Sequence, residues 1–480
     1  ILLSAVRVLT DSADTGAVAI DMPKDVQGEV YDFPNYLFEK RVIFAPFTME
    51  CASKFYPEYS ALLKLSKEIT AANSKPIFIV GGGARYSGAG KIIAELAEKY
   101  GIAVCETQAG KSVVESSFKY NLGGLGVTGN AAANTVAKDA NLIIAVGTRF
   151  TDFTTASKTL FSKNAKIVTI NTSRFHAEKL NASAIIGDAA RILQILSATI
   201  KGNIKSEKRA EWIRIIEIAK REWELEYDRL SKVEYGENFK PEVGAYTPNV
   251  FTEFEKATGG ATAQTAALAL VRALIAPDAI AVAAAGSLPG DMQRMWKTDV
   301  RDTYNMEYGY STMGYEIAGA FGSKLAAPDR DVYAFCGDGS YLMLHSELVT
   351  SIQEGKKITV LLFDNGGFGC INNLQMVKGC NSLATEFRYK AEAETPFVPI
   401  DFAASAAGYG VKTYSAHNLA ELKTAIEDAK LQTKSCLIDI KVFPKTMTDG
   451  YGGFWQTGLN QSPRNDTQKA ALAEQNRLIK

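Results

Sequence analysis

The sequence predicts an α/β fold with two Rossmann-like domains, each built on a doubly wound parallel sheet, plus the C-terminal stub of a third. Three observations predict it. The chain has 480 residues, more than one domain of ordinary size contains. Short apolar runs repeatedly end in glycine and lead into segments with helical spacing, which is typical of strand–helix units. The 39 glycines outnumber the 14 prolines, which suits many tight turns between strands and helices.

The first segment, residues 1–40, is predicted to be the tail of an N-terminal domain followed by a linker. A helical stretch precedes a turn at 14–16 and a short predicted strand at 17–20. An α/β piece of this length cannot bury a core of its own. We therefore expect it to be the end of a larger domain.

Residues 55–205 are predicted to form a central Rossmann-like domain. Apolar runs that suit buried strands occur at 75–80, 102–104, 142–147 and 165–170. Helix-like sequence separates these runs, and that alternation favours a parallel sheet.

Three glycines, Gly81, Gly82 and Gly83, follow the first of these runs, as they would in a dinucleotide-binding fingerprint. The last glycine of that motif is absent, and no acidic residue is clearly placed to hold a ribose. We therefore expect these glycines to serve chain packing, and we do not expect FAD.

A helical linker over 206–260 is predicted to connect this domain to the next, and it opens with a charged amphipathic helix at 206–232. Residues 262–445 are predicted to form the second Rossmann-like domain, and 446–480 a C-terminal arm. The predicted strands of the second domain lie at 279–285, 331–336, 358–363 and 436–442.

Composition narrows the class of protein. Basic and acidic residues both number 53, so the net charge is zero, which argues against nucleic-acid or polybasic membrane partners. No apolar run reaches the roughly 18 residues of a membrane span, and the first residues do not resemble a signal peptide. Six cysteines without a C-x-x-C pair predict reduced thiols and a cytoplasmic location. Three histidines argue against a zinc site.

Glycine, acidic and amide residues follow two predicted strands at the points where the strands end. The sequence Gly-Asp-Gly-Ser occupies 337–340, and Asp-Asn-Gly-Gly occupies 364–367. Because parallel strands end at one edge of a sheet, we expect the two to meet where such sheets bind ligands. The carboxylate of Asp338, the amide oxygen of Asn365 and the backbone carbonyl of Gly367 would provide half of an octahedral oxygen shell for Mg²⁺.

The same two sequences suit a phosphate group. Gly337, Gly339 and Gly367 let the backbone approach a ligand closely, and Ser340 can donate a hydrogen bond. A Gly-Asp-Gly sequence by itself is also an ordinary β-turn, but the matching Asn at the next strand end makes a chance occurrence much rarer. An EF-hand does not fit, because its alternating acidic ligands and final Glu are absent.

These two elements resemble the metal and diphosphate motif of thiamine-diphosphate enzymes, although Asp364 stands where that family usually has Asn. The segment 308–314, which begins at Tyr308, is similar to the one that supports the cofactor. The resemblance implies that Met313 wedges between the two cofactor rings and that a carbonyl near Ser311 accepts from the aminopyrimidine. It also implies that the turn formed by Gly286, Ser287 and Leu288 helps to hold the diphosphate.

Within these enzymes the sequence resembles the trihydroxycyclohexane-1,2-dione hydrolases over essentially its whole length. The segments that carry this resemblance are 106–111, 283–296, 305–314, 363–375 and 449–456. The resemblance implies thiamine diphosphate and Mg²⁺ as cofactors, a small cyclic polyhydroxy 1,2-dione as substrate, and a homodimer or homotetramer. It implies hydrolytic C–C cleavage that opens the ring to a deoxy-uronic acid in inositol breakdown.

The resemblance leaves two catalytic roles open. In the family, a Glu of the N-terminal domain activates the cofactor, and no residue of this sequence matches it, so we expect the chain by itself to be weak or inactive. The residue that orients the hydrolytic water is also open; the polar candidates are Gln108, Lys111, Glu307, Asn372 and Gln375.

Three alternatives to this function remain open at this point. A 2-oxo acid decarboxylase or carboligase of the acetohydroxyacid synthase type would use the same metal and phosphate motifs. A serine hydrolase would need Ser311 to meet His345 or His417, and its segment misses the nucleophile motif by one residue. A non-catalytic nucleotide-binding module is the third.

Overall fold

The fold was analysed in a computed structural model of the chain. It describes residues 2–11, 15–30, 32, 57–202, 206–236, 239–307, 309–392 and 395–479. Two six-stranded sheets dominate it, and every strand pair in both is parallel. The predicted α/β class with two Rossmann-like domains is therefore confirmed. No helix in these residues is both long and apolar enough to cross a membrane.

The first sheet has the strand order β3-β2-β1-β4-β5-β6. Its strands are β1 Pro76–Val80, β2 Ala103–Glu106, β3 Asn121–Gly124, β4 Leu142–Val146, β5 Lys166–Asn171 and β6 Ser183–Ile186. The central strands β1 and β4 are buried along their whole length. That burial explains their unbroken apolar runs, because helices cover both faces of such a sheet.

The second sheet has the order β11-β12-β10-β9-β7-β8. Its strands are β7 Ile280–Ala283, β8 Tyr304–Met306, β9 Val332–Gly337, β10 Thr359–Asp364, β11 Lys412–Ala416 and β12 Cys436–Lys441. In the middle of this sheet β9 and β10 lie side by side, so their carboxyl ends meet at one edge.

Helices flank both sheets and form the remainder of the regular structure. The α-helices are Leu2–Thr10, Lys24–Gln27, Tyr59–Thr70, Gly82–Tyr86, Gly90–Tyr100, Ala131–Asp139, Asp152–Thr155, Arg174–Ala177, Ala189–Thr199, Glu207–Leu230, Val250–Thr258, Gln264–Leu274, Ser287–Met295, Tyr315–Ala326, Asp338–Met343, Glu347–Gln353, Gly369–Val377, Phe402–Ala407, Leu419–Leu431 and Asp466–Ile479. Short 3-10 turns occupy Gln108–Gly110, Lys179–Asn181 and Tyr389–Ala391.

The helices of the second sheet change faces at two points. Those that follow β7 and β11 pack on one face of the sheet, and those that follow β8, β9 and β10 pack on the other. A crevice therefore opens at the carboxyl edge between β7 and β9, and a second at the end of β12, between β10 and β11. Ligands of open α/β sheets bind in such crevices.

The predicted amphipathic helix is confirmed as Glu207–Leu230. Its apolar face buries Trp212, Ile216 and Trp223 in the core of the first sheet. The same face carries a buried Arg209 that donates to the carbonyls of Ile69 and Tyr100. The guanidinium thus satisfies backbone acceptors where two other helices end.

The eight predicted strands of the two domains are confirmed within a few residues, but four further strands were missed. β3 contains two adjacent glycines, β8 has three residues, and β6 and β11 are partly exposed. None of these gives the long apolar run that identifies a buried parallel strand.

The predicted strand at 17–20 is wrong. Those residues are exposed and have no regular secondary structure, and no described strand pairs with them. An apolar run becomes a strand only where a neighbour takes up its backbone hydrogen bonds. Most of the predicted linker between residue 31 and residue 56 lies outside the described residues, and the domain boundaries remain predictions.

The glycines after β1 are packed against the chain itself. A Cβ on Gly81 would lie 2.4 Å from the Gly147 carbonyl oxygen, and one on Gly83 would lie 2.8 Å from the Gly147 Cα. Gly147 has a φ of 62°, which favours glycine. The turns after β1 and β4 thus interlock, and this contact accounts for Gly81 and Gly83 without a bound nucleotide.

Gly81→Ala is therefore expected to lower the free energy of unfolding by about 1–3 kcal/mol, since backbone must move to admit the methyl group. Chemical denaturation measures this. The control is Gly322→Ala, at an exposed helical position with open space around it, which should stabilise the protein by roughly 0.5–1 kcal/mol. Equal effects of the two substitutions would contradict the packing role.

Candidate functional site

The candidate site lies at the carboxyl edge of the second sheet, where β9 and β10 end. Asp338 begins the helix after β9 and is buried. Its Oδ1 accepts from the Gly339 amide at 2.7 Å, and its Oδ2 accepts from the Gly367 amide at 2.8 Å. The second bond reaches across to the loop that follows β10, so the two predicted strand ends are held together by one carboxylate.

Asn365 provides the clearest sign of a ligand. Its amide oxygen Oδ1 is buried and has no hydrogen-bond partner among the described residues. A buried polar oxygen without a partner is costly, and such an oxygen is what an Mg²⁺ ion takes as a ligand. The side chain lies in the loop that Asp338 holds, so the residues present fit a divalent cation with oxygen ligands.

Electrostatics at Asp338 point the same way. Burial, followed by the nearby carboxylate of Asp364, raises the pKa of Asp338 well above its ordinary value. Two carboxylates in a buried site repel each other. A cation bound at Asp338 would relieve both effects, because it supplies the positive charge that the described side chains do not provide at that carboxylate.

Lys441 compensates the second carboxylate. Its Nζ lies 2.6 Å from Asp364 Oδ2 and 2.9 Å from Asp439 Oδ2, and all three residues are buried. Burial acts to lower the pKa of Lys441, but the two carboxylates raise it above its ordinary value. We call these three residues the buried charge cluster.

Sequence reasoning missed this cluster, although β12 carried a signal for it. A strand buried on both faces is expected to be apolar throughout, yet Asp439 and Lys441 interrupt the run Cys436–Lys441. Lys441 also explains how Asp364 is tolerated where the family usually has Asn: the ammonium neutralises the added charge.

Glycine is favoured at two positions of the site, for different reasons. Gly286 has a φ of 94°, a conformation that favours glycine. It precedes the helix Ser287–Met295, whose first turn has no side-chain cap and so presents backbone amides that can bind an anion. At Gly339 a Cβ would lie 2.7 Å from the Phe368 ring and 3.4 Å from the Met313 methyl. Glycine is therefore required there, and Met313 is brought beside the diphosphate motif.

Ser340 is held by a residue that sequence reasoning missed. Its hydroxyl donates to Glu316 Oε1 at 2.9 Å. The other oxygen of Glu316 accepts from the Gly314 amide at 3.0 Å, and burial raises the pKa of this carboxyl. Glu316 thus links the helix after β9 to the segment that contains Met313. The sequence shows Glu316 only as an acidic residue in a helical segment, and the structure adds that it is buried.

The loop around Ser311 is organised by Glu307. The carboxylate accepts from the backbone amides of Gly309, Tyr310 and Thr312 at 2.6 to 3.1 Å. Partial burial acts to raise the pKa of Glu307, but these hydrogen bonds lower it overall. Ser311 has a φ of 57°, and its hydroxyl donates to the Ala284 carbonyl at 3.3 Å, so this loop lies against the end of β7. Tyr308 lies outside the described residues.

Gln108 and Lys111 lie between the two domains. Gln108 Nε2 donates to the Pro289 carbonyl at 2.9 Å, and Lys111 Nζ donates to the Gln293 carbonyl at 3.1 Å. Both contacts fix the helix Ser287–Met295, whose N-terminus belongs to the candidate site. Lys111 is fully buried with Glu106 at 3.6 Å. This geometry fits a positioning role for both predicted candidates.

The other two polar candidates, Asn372 and Gln375, form hydrogen bonds in the segment that follows the Asn365 loop. Asn372 donates to Ser382 and Thr385 and accepts from Lys445. Gln375 Oε1 accepts from the Leu383 amide at 3.1 Å. Burial lowers the pKa of Lys445 to about 8. These bonds anchor the helix Gly369–Val377 that continues from the Asn365 loop.

The nucleophile–base geometry that a serine hydrolase needs does not occur at Ser311 in the described residues. His345 Nδ1 bonds the Tyr341 carbonyl at 2.8 Å, and its ring stacks on Tyr341. His417 pairs with Glu421. Neither histidine bonds Ser311 in the described residues, so no nucleophile–base pair forms there.

Comparison with known proteins agrees with this architecture. Residues 284–440 match the family described as "Thiamine pyrophosphate enzyme, C-terminal TPP binding domain", and residues 64–196 match "Thiamine pyrophosphate enzyme, central domain". These two ranges contain both sheets apart from β7 and the last residue of β12.

Several relatives that match the whole of this chain are named 3D-(3,5/4)-trihydroxycyclohexane-1,2-dione hydrolase. The protein of Clostridium perfringens (strain ATCC 13124) is 53% identical over 487 residues, which cover 100% of this chain and 74% of the relative. That of Clostridium botulinum (strain Alaska E43) is 52% identical, with coverage of 100% and 74%. That of Geobacillus thermodenitrificans (strain NG80-2) is 51% identical, with coverage of 100% and 73%.

Lys441→Met is expected to lower the free energy of unfolding by about 3–5 kcal/mol, because it leaves two buried carboxylates without their cation. Burial already raises the pKa of Asp439 to about 7, and removal of the ammonium raises it further, so the folded state binds more protons than the unfolded one. The loss should therefore be larger at pH 8 than at pH 5.5. Denaturant titrations at both pH values measure it.

Lys412→Met on β11 is the matched control, since Lys412 pairs with Asp428 at the exposed surface. Its loss should stay within about 1 kcal/mol. Similar losses for the two lysines, or a Lys441→Met loss that does not change with pH, would contradict the role of the buried charge cluster.

Proposed function

The chain belongs to the thiamine pyrophosphate enzymes and, within them, to the 3D-(3,5/4)-trihydroxycyclohexane-1,2-dione hydrolase family, and from that premise we propose that it opens a cyclic polyhydroxy 1,2-dione by hydrolytic C–C cleavage. The product is an open-chain deoxy-uronic acid, and the reaction belongs to inositol breakdown. The observation that carries the proposal is the buried, unpartnered amide oxygen of Asn365 in the loop held by Asp338, in a chain with this relationship.

We propose thiamine diphosphate and Mg²⁺ as the cofactors. Asp338, Asn365 and the Gly367 carbonyl would hold Mg²⁺, since together they offer hard oxygen ligands. The diphosphate would lie along the backbone of Gly286, Ser287, Leu288, Gly337, Gly339 and Ser340, since the Ser340 hydroxyl already donates to Glu316. When bound, thiamine diphosphate supplies the electron sink that makes a C–C bond beside a carbonyl cleavable.

The chain's own residues bind and orient. The amide groups at the start of the helix Ser287–Met295 favour a negative charge. Gln108 and Lys111 fix the position of this helix by donating hydrogen bonds to its carbonyls. Glu316 fixes the hydroxyl of Ser340 and the backbone before Tyr315. Through these bonds the phosphate-binding and ring-supporting segments keep one relative position.

Glu307 and Met313 serve the ring end of the cofactor in this proposal. Glu307 holds the loop that carries the Ser311 carbonyl, which would accept from the aminopyrimidine. Met313 would support the two rings. The enzyme would act in the cytoplasm as a homodimer or homotetramer on a small molecule.

Asp338→Asn is expected to weaken Mg²⁺-dependent binding of thiamine diphosphate by at least about tenfold, because it removes the only carboxylate among the three proposed metal ligands. Calorimetric titration of the cofactor with and without Mg²⁺ measures this. Asp329→Ala, at an exposed loop position, is the control and should bind like the wild type. Binding that is indifferent to Mg²⁺, or unchanged in Asp338→Asn, would refute the metal site.

The same variant has a second expected signature without Mg²⁺. The pKa of Asp338 is raised in the folded state, so its contribution to stability is lost as pH rises through that value. Asp338→Asn should therefore be at least as stable as the wild type at pH 8, with the difference shrinking towards pH 5. Thermal unfolding at both pH values tests this and distinguishes lost binding from lost folding.

Incubation of the cofactor-loaded protein with the cyclic dione is expected to yield a carboxylic acid without release of CO₂, at the low rate expected of a chain in which no residue matches the family's activating Glu. Acid–base titration together with CO₂ detection follows both products. A 2-oxo acid supplied in parallel should release no CO₂. Release of CO₂ from the 2-oxo acid, with the dione left intact, would favour the decarboxylase alternative instead.

A further inference from the structure

A second cavity lies at the carboxyl edge of the second sheet, away from the candidate cofactor crevice. Its volume is about 240 Å³. It lies at the end of β12, which is the second of the two points where the helices of this sheet change faces. Such a position is where parallel sheets bind ligands, and the proposed function leaves it unused.

The base of this cavity is the buried charge cluster. Lys441 Nζ donates hydrogen bonds to Asp364 Oδ2, to Asp439 Oδ2 and, at 3.5 Å, to the Ile400 carbonyl. The other oxygen of Asp439, Oδ1, is buried and has no hydrogen-bond partner among the described residues. Asp439 is only 1% exposed, so water does not replace that partner freely.

The charge around the cavity is negative. Asp364, Asp439 and Asp401 line it, and Lys441 is the one lysine or arginine among its lining residues. His417 at the rim is already paired with Glu421. Burial raises the pKa of Asp439 to about 7, as expected for a carboxylate whose charge is incompletely compensated. A cationic hydrogen-bond donor is therefore the ligand chemistry that this base lacks.

The walls of the cavity favour an organic cation over a metal ion. Phe254, Phe387, Phe397 and Phe402 line it. Aromatic rings attract an ammonium group and pack against its apolar body. A metal such as Ca²⁺ would need six or more oxygen ligands, whereas these rings offer none. A volume of about 240 Å³ is below that of drug-sized sites and suits a small molecule.

We propose that this cavity is a binding site for a small organic cation, a primary ammonium ion with an apolar body, whose N–H groups donate to Asp439 Oδ1. The site is separate from the proposed cofactor crevice between β7 and β9. The two share the loop after β10, because Asp364 and Gly366 line the cavity and flank Asn365 in the candidate metal loop. The inference does not depend on the proposed reaction.

The test is calorimetric titration of the full chain with butylammonium chloride. Saturable binding is expected, and butanol at the same concentrations should bind at least about tenfold more weakly, because it lacks the charge. Potassium chloride serves as the inorganic cation and should give no saturable heat. Equal binding of butanol would overturn the cationic specificity, and saturable K⁺ binding at this site would overturn the organic class.

Variants locate the binding. Asp439→Asn keeps the shape of the side chain and should weaken butylammonium binding about tenfold. Asp466→Asn makes the same change at a carboxylate that is 98% exposed and should leave binding unchanged. If Asp439→Asn does not fold, Ala257→Phe, which fills the cavity from the half-buried wall of the helix Val250–Thr258, should abolish binding. Wild-type protein that binds no butylammonium, or cavity variants that bind it normally, would overturn the proposal.

Discussion

The buried carboxylate of Asp338 fixes the candidate site. It accepts from the Gly339 amide in its own helix and from the Gly367 amide of the neighbouring loop, so two strand ends are joined through one side chain. A buried carboxylate is unfavourable unless hydrogen bonds or a cation stabilise it. The backbone supplies the bonds, and the unpartnered oxygen of Asn365 supports the cation site that we propose beside it.

The neighbourhood of Asp338 shows how added charge is accommodated. Asp364 brings a second carboxylate close to the first, and Lys441 compensates it from β12 at 2.6 Å. Because one ammonium serves both Asp364 and Asp439, one carboxylate charge of the cluster stays uncompensated. The same shortage of positive charge thus underlies both proposals, the metal site at Asp338 and the ligand cavity at Asp439.

The central domain contributes to the site without touching its proposed ligands. Gln108 and Lys111 reach from the first sheet to the helix Ser287–Met295, and Arg294 of that helix donates back to the Val127 carbonyl. The helix N-terminus is therefore held from both domains. This explains why the segment that contains Gln108 and Lys111 is part of the family resemblance although it binds no proposed cofactor group.

The sequence by itself determined the fold class and pointed to the candidate metal motif, because both follow from local patterns. Unbroken apolar runs specify buried parallel strands, and Asp338 and Asn365 follow such runs directly. Only the tertiary structure decided which side chains and strands contact one another. Lys441 lies 77 residues from Asp364, and Glu316 lies 24 residues from Ser340. The apolar residues at 17–20 form no strand, since no described strand pairs with them. Hydrogen bonds and ion pairs form between atoms that packing brings together, and linear spacing does not encode that packing.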